Sequence, residues 1–95
     1  MQFFYYITLG TGMGIKRGTM AVDIANGKIE GYLTLMRHEN YFTGDISRDG
    51  SITFKGEIQS LLSSVGYRAV GKLSAESVTA RITTDKSVLY LNGMK

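Results

Sequence analysis

A chain of 95 residues with a formal net charge of +3 has room for one domain and a modest core, burying roughly 60–65% of its extended-chain surface. With no cysteine and a single histidine it holds no disulfide and no set of soft metal ligands, so sheet pairing and apolar packing must carry the fold. Its eleven Lys and Arg are scattered among eight acids and form no basic arm, which speaks against nucleic-acid binding, and a cysteine-free chain fits a reducing, cytoplasmic compartment.

The absence of proline, 11% aromatic residues and steady period-two alternation predict strands throughout. The opening run "MQFFYYITL" is too short for a membrane span and carries neither a basic flank nor a cleavage pattern, so it reads as a strand over 2–9. Phe3, Tyr5, Ile7 and Leu9 are assigned to its inner face, although "FFYY" is apolar on both. Next, "GTGMGIKR" at 10–17 reads as the one long connection, a flexible loop or lid. A phosphate cradle there fails on spacing: Ile15 and Arg17 stand where a dinucleotide fingerprint needs its third glycine, and a strand follows.

Strands at 18–25 and 28–36 flank Asn26-Gly27, a pair suited to a type I′ turn. That turn sets Ile24 against Ile29, Val22 against Gly31 and Met20 against Leu33, all inward. "RHEN" at 37–40 reads as a four-residue loop placing Leu33 opposite Gly44, with His38 a solvated turn residue. Strands at 41–47 and 51–62 meet at Arg48-Asp49-Gly50, with Gly50 in the left-handed position. Ile46 then faces Ile52, Gly44 faces Phe54 and Phe42 faces Gly56, so each glycine lies under a phenylalanine ring. Strands at 66–74, 77–84 and 87–93 complete the chain, with Gly71 opposite Ala80, Ala80 opposite Leu91 and Val78 opposite Gly93.

An apolar-x-small-x-apolar unit recurs as "IEGYL", "FTGDI", "FKGEI", "AVGKL" and "VTARI", one unit per strand with its turn. Eight such strands form an all-β, single-domain antiparallel meander over 1–95, and closure into a small β-barrel removes both exposed edges. In outline this up-and-down barrel resembles the calycins, the lipocalin and avidin type. That resemblance implies a lumen holding a small apolar ligand, though neither the Gly-x-Trp opening of lipocalins nor the tryptophans of avidin pockets occur in a chain without tryptophan.

Candidate chemistry is sparse. His38 beside Glu39 has no cysteine or second histidine to make a metal set and no nucleophile at a useful spacing. Glu30, Asp45, Asp49 and Glu57 point outward or lie in turns, and no facing carboxylate pair, cofactor motif or activated nucleophile emerges, so an enzyme is not expected. Lys55, Arg68, Lys72 and Arg81 form an outward basic stripe interrupted by Glu57, which reads as a solvated surface. Small inward residues cluster at Ser60, Ala69, Gly71 and Ala80, where a pocket for a small apolar ligand would lie. On the outside, Phe4 and Tyr6 are expected to meet Val88 and Tyr90 across the closing seam as a homodimer interface, with Tyr32, Met36 and Tyr41 a second cluster. The leading expectation is a non-enzymatic interaction module; the alternative is a carrier of a small apolar molecule.

Overall fold

The computed structural model of the protein describes residues 1–59 and 63–95. Eight strands follow one another: β1 (Gln2–Thr11), β2 (Gly14–Ala25), β3 (Lys28–Leu35), β4 (His38–Ile46), β5 (Ser51–Gln59), β6 (Ser64–Leu73), β7 (Ser77–Thr83) and β8 (Val88–Met94). Each is antiparallel to its neighbour in sequence, and β8 returns to β1, so the meander is a closed barrel.

Turn chemistry sets most of the register as expected. Asn26 and Gly27 both have positive φ (54° and 75°), and Ile24 faces Ile29, Val22 faces Gly31 and Met20 faces Leu33. Gly50 sits at φ 87°, with Ile46 opposite Ile52, Gly44 opposite Phe54 and Phe42 opposite Gly56. Gly71 pairs with Ala80, Ala80 with Leu91 and Val78 with Gly93.

Three connections differ from expectation; the smallest change is at β6, which begins at Ser64 opposite Gln59 instead of at 66. Residues 10–17 are no loop: β1 and β2 run on as a ribbon to a tight turn at Gly12-Met13, with Thr11 opposite Gly14. Extended pairing satisfies the backbone groups that a loop would leave to water. "RHEN" is no four-residue loop either. Met36 and Arg37 both take positive φ (50° and 67°), making a two-residue turn whose twist matches its strands. Leu33 therefore faces Asn40, and Gly44 faces Ile29. His38 becomes a half-buried strand residue opposite Leu35. Neither turn residue is glycine or asparagine, so the usual signal was missing.

Asn40 is the one buried polar residue of the core among the described residues, and its amide is fully used. It donates to the Leu33 and His38 carbonyls (3.0 and 3.1 Å) and accepts from the Gln59 N–H (2.9 Å), so the side chain links β4 to β5 beyond the last paired residues, Phe42 and Gly56.

Inward side chains occupy the lumen. Tyr5, Ile7, Leu9, Met20, Val22, Ile29, Leu33, Leu35, Phe42, Ile52, Phe54, Val78, Ile82 and Leu91 are all at most 3% exposed. Phe42 and Phe54 have ring centroids 5.0 Å apart, and Tyr67 stands edge-on to Phe54 at 6.0 Å. Followed across the strands, the outward row from Gln2 passes Asp23, Glu30, Thr43, Lys55, Arg68 and Thr83 to Val88. Since Gly10 faces Tyr90, two residues on from Val88, that row regains β1 two residues past Gly10, at Gly12, a slide of ten from Gln2. Such a slide over eight strands tilts them by about 40–45° to the barrel axis.

Candidate functional site

Among the described residues the small inward positions surround no chamber, and Gly71 and Ala80 border only an open recess of about 210 Å³ across β6 to β8. Ala69 and Ala80 are buried, and a β-carbon added to Gly71 would fall on the Thr79 carbonyl oxygen and lie 2.6 Å from the Ala80 Cα. Glycine is needed there because β6 and β7 approach too closely for any side chain. Gly44 is held the same way, with the Phe54 Cα 2.6 Å and its Cβ 2.7 Å from where a methyl would stand. These glycines thus mark sharp coiling of the sheet, with Phe54 opposite Gly44 and Ile52 opposite Gly71 filling the interior beside them. Ser60, the fourth member of the expected pocket, lies outside the described residues.

Among the described residues one buried side-chain polar atom has no hydrogen-bond partner. The Tyr67 hydroxyl is buried beside Gly56 without a hydrogen bond, and burial pushes its pKa far above the ordinary phenol value. Tyr5, by contrast, donates its hydroxyl to the Ser74 carbonyl at the β6–β7 turn. At the opposite end of the barrel an open recess of about 240 Å³ is lined chiefly by Leu9, Leu35, Met36, Ile58 and Leu89, with Lys16 and Lys86 at its edge.

The richest surface lies outside. On β1 the inner face is as assigned, leaving Phe4 and Tyr6 50% and 68% exposed, their rings edge to face at 5.4 Å. The closing register does not place them beside Val88 and Tyr90. Tyr6 faces Met94, and Tyr90 faces Gly10, four residues further along β1. The steep slide of the strands moves the two pairs apart. What Phe4 does meet is the second aromatic cluster: Phe4 faces Ala21, Ala21 faces Tyr32, and Tyr32 faces Tyr41, in one line across β1 to β4. A loop at 10–17 would leave β1 without a register against β2; the paired ribbon there is what brings Phe4 into line with Tyr32, and the tight turn at Met36-Arg37 adds Tyr41.

Tyr32 and Tyr41 are 45% and 50% exposed, with rings 5.8 Å apart, and the Tyr41 hydroxyl donates to Glu30 Oε2 at 2.9 Å. That hydrogen bond to a carboxylate holds the Tyr41 proton on, raising its pKa. Phe4, Ala21, Asp23, Glu30, Tyr32 and Tyr41 line a groove of about 510 Å³. Across β4 lies a second groove, about 570 Å³, lined by Lys28, Thr43, Asp45, Lys55, Arg68 and Val70 among others. Within it Lys28 pairs with Asp45 at 2.5 Å, whereas Lys55 and Arg68 form no ion pair with any described residue.

Tyr90 stands opposite Arg81 and Val88 opposite Thr83, so that half of the expected interface borders the basic stripe. Met36 lines the apolar recess at the barrel end, apart from Tyr32 and Tyr41. No three His, Cys, Asp or Glu gather into a metal-holding group among the described residues, and no helix there is long and apolar enough to cross a membrane.

No family model, curated protein or solved structure matches the chain. Fold and surface together define a small closed meander barrel with an occupied lumen, its most distinctive groups standing on the outside of β1 to β6.

Proposed function

We propose that the protein is a non-enzymatic interaction module that associates with a second copy of itself through the outer face of the barrel. The observation that carries this reading is the unbroken outward line Phe4, Ala21, Tyr32, Tyr41, flanked by Tyr6. Half-exposed aromatic rings retain apolar area that a partner can cover, while tyrosine hydroxyls stay hydrated at the rim. An occupied lumen supports the same reading, since the interior then serves stability.

The test is sedimentation equilibrium of wild type and of Tyr32→Glu and Tyr90→Glu. A wild-type dimer that Tyr32→Glu disperses, with unchanged far-UV circular dichroism, and that Tyr90→Glu leaves intact is the expected result. A wild type monomeric at every concentration overturns the reading.

The second reading, a carrier of a small apolar molecule, gains from the recess formed by Leu9, Leu35, Ile58 and Leu89 at one end of the barrel. It places the ligand there and not at Ala69, Gly71 and Ala80, where the backbones are in contact. Native mass spectrometry of the protein from its host would register such a ligand as added mass.

A further inference from the structure

One row of outward residues crosses the two grooves. Asp23 on β2 faces Glu30 on β3, Glu30 faces Thr43 on β4, Thr43 faces Lys55 on β5, and Lys55 faces Arg68 on β6. Read across the sheet, the charges run acid, acid, neutral, base, base. Like charges directly opposite one another on neighbouring strands are unfavourable, and this row contains two such pairs, one of each sign. Within the barrel the terminal ammonium group of Met1 lies 3.6 Å from Asp23 and the Tyr41 hydroxyl donates to Glu30, whereas Lys55 and Arg68 form no ion pair with any described residue. Each pair is, however, the complement of the other, at equal distance on either side of β4.

We propose that two copies pack face to face over β4, about a two-fold axis lying in the contact plane and running along that strand. The inference rests on the self-association put forward above and adds its geometry. Rotation about such an axis keeps each residue in its own row and exchanges the strands to either side of β4. Glu30 of one copy meets Lys55 of the other, and Asp23 turns toward Arg68 of the other. Thr43 and Tyr41, outward on β4 itself, meet their own counterparts on the axis, Thr43 being small and the Tyr41 hydroxyl drawn aside toward Glu30 on β3. Asp45, the next outward residue of β4, already has its charge covered by Lys28. A two-fold axis perpendicular to the strands would instead set acid on acid and base on base, which the charges forbid.

The shape agrees with this contact. Because the strands are steeply tilted, a row perpendicular to them wraps the barrel obliquely and curves less than a hoop would. The gap between the two convex faces widens away from β4, and the residues required to span it on the basic side, Lys55 and Arg68, have the longest side chains. Glu30 is steadied for its part by the Tyr41 hydroxyl.

The experiment uses Glu30→Lys, Lys55→Glu and the double variant, each checked for a native circular dichroism spectrum and followed by sedimentation equilibrium at low and high salt. Each single variant alone brings like charges together across the axis, and its dimer is expected to weaken at least ~10-fold. The double variant restores opposite charges and returns to within about threefold of wild type. An equimolar mixture of the two single variants forms a heterodimer, because every charge on one then meets its opposite on the other. Wild type that dimerises with undiminished affinity in both single variants overturns the β4 axis while leaving self-association standing. A wild type that never dimerises overturns both. Single variants that weaken without rescue by the double variant or by mixing also count against the pairing.

Discussion

Two buried tyrosines show how much a single hydroxyl can matter. Tyr5 and Tyr67 are both buried in the barrel, but Tyr5 reaches the Ser74 carbonyl while the Tyr67 hydroxyl has no partner among the described residues. A buried donor left unpaired forfeits its hydration without compensation. Tyr67→Phe is therefore expected to be neutral or to stabilise the protein by about 1 kcal/mol, read as an unchanged or higher urea midpoint. A loss of stability would mean that the hydroxyl has a partner in solution. The sequence marked both residues as inward or aromatic, yet nothing in "VGYRAV" distinguishes a satisfied tyrosine from an orphaned one. That depends on which turn lies at the end of the ring.

At the scale of an element, the hairpins divide by what stabilises their turns. The β6–β7 and β7–β8 turns repeat one device. Ser74 Oγ accepts from the Glu76 and Ser77 N–H groups, and Thr84 Oγ1 accepts from those of Lys86 and Ser87, between 3.0 and 3.3 Å. The β4–β5 turn depends on a charge. Asp49 accepts from the Ser47 hydroxyl at 2.6 Å and the Ser51 N–H at 2.9 Å, and lies 3.3 Å from Lys72 Nζ. These contacts, the Ser47 hydrogen bond foremost, hold its pKa well below the ordinary carboxylate value. A carboxylate so depressed adds stability that is complete above its unfolded pKa, about 4, and lost as pH falls through the folded value. Asp49→Asn should thus melt lower than wild type at pH 7, with the difference shrinking below about pH 4. A difference that stays constant down to pH 2 would assign the effect to shape instead of charge. "RDG" announced this turn through its glycine, whereas "MR" at 36–37 announced nothing, because non-glycine residues take positive φ only where pairing on both sides compels them.

For the molecule as a whole, closure is the decisive event. The seam joins β1 to β8, strands separated by nearly the full chain, so it is the pairing with the greatest sequence separation and the greatest loop-closure cost in the sheet. Leu91 sits in that seam, opposite Leu9 on β1 and Ala80 on β7, and is 1% exposed. Leu91→Ala should cost about 2–5 kcal/mol. The expected reading is a lower denaturant midpoint with an unchanged slope, because a small closed barrel unfolds as one unit. A second, earlier transition would show the seam opening ahead of the remaining sheet.

The sequence by itself determined the strand count, the inner face of nearly every strand, and the registers at Asn26-Gly27, Gly50 and β7–β8, because period-two patterning and turn chemistry act between neighbours. Only the tertiary structure decided which outward residues share a surface. Phe4 joins Tyr32 and Tyr41, and Glu30 comes into line with Lys55, through the successive registers of β1 to β5, while the slide that accumulates around eight strands parts Phe4 from Val88 and Tyr90. Outward residues are constrained by no core, so their alignment follows from the summed geometry of every hairpin and is written in no single one.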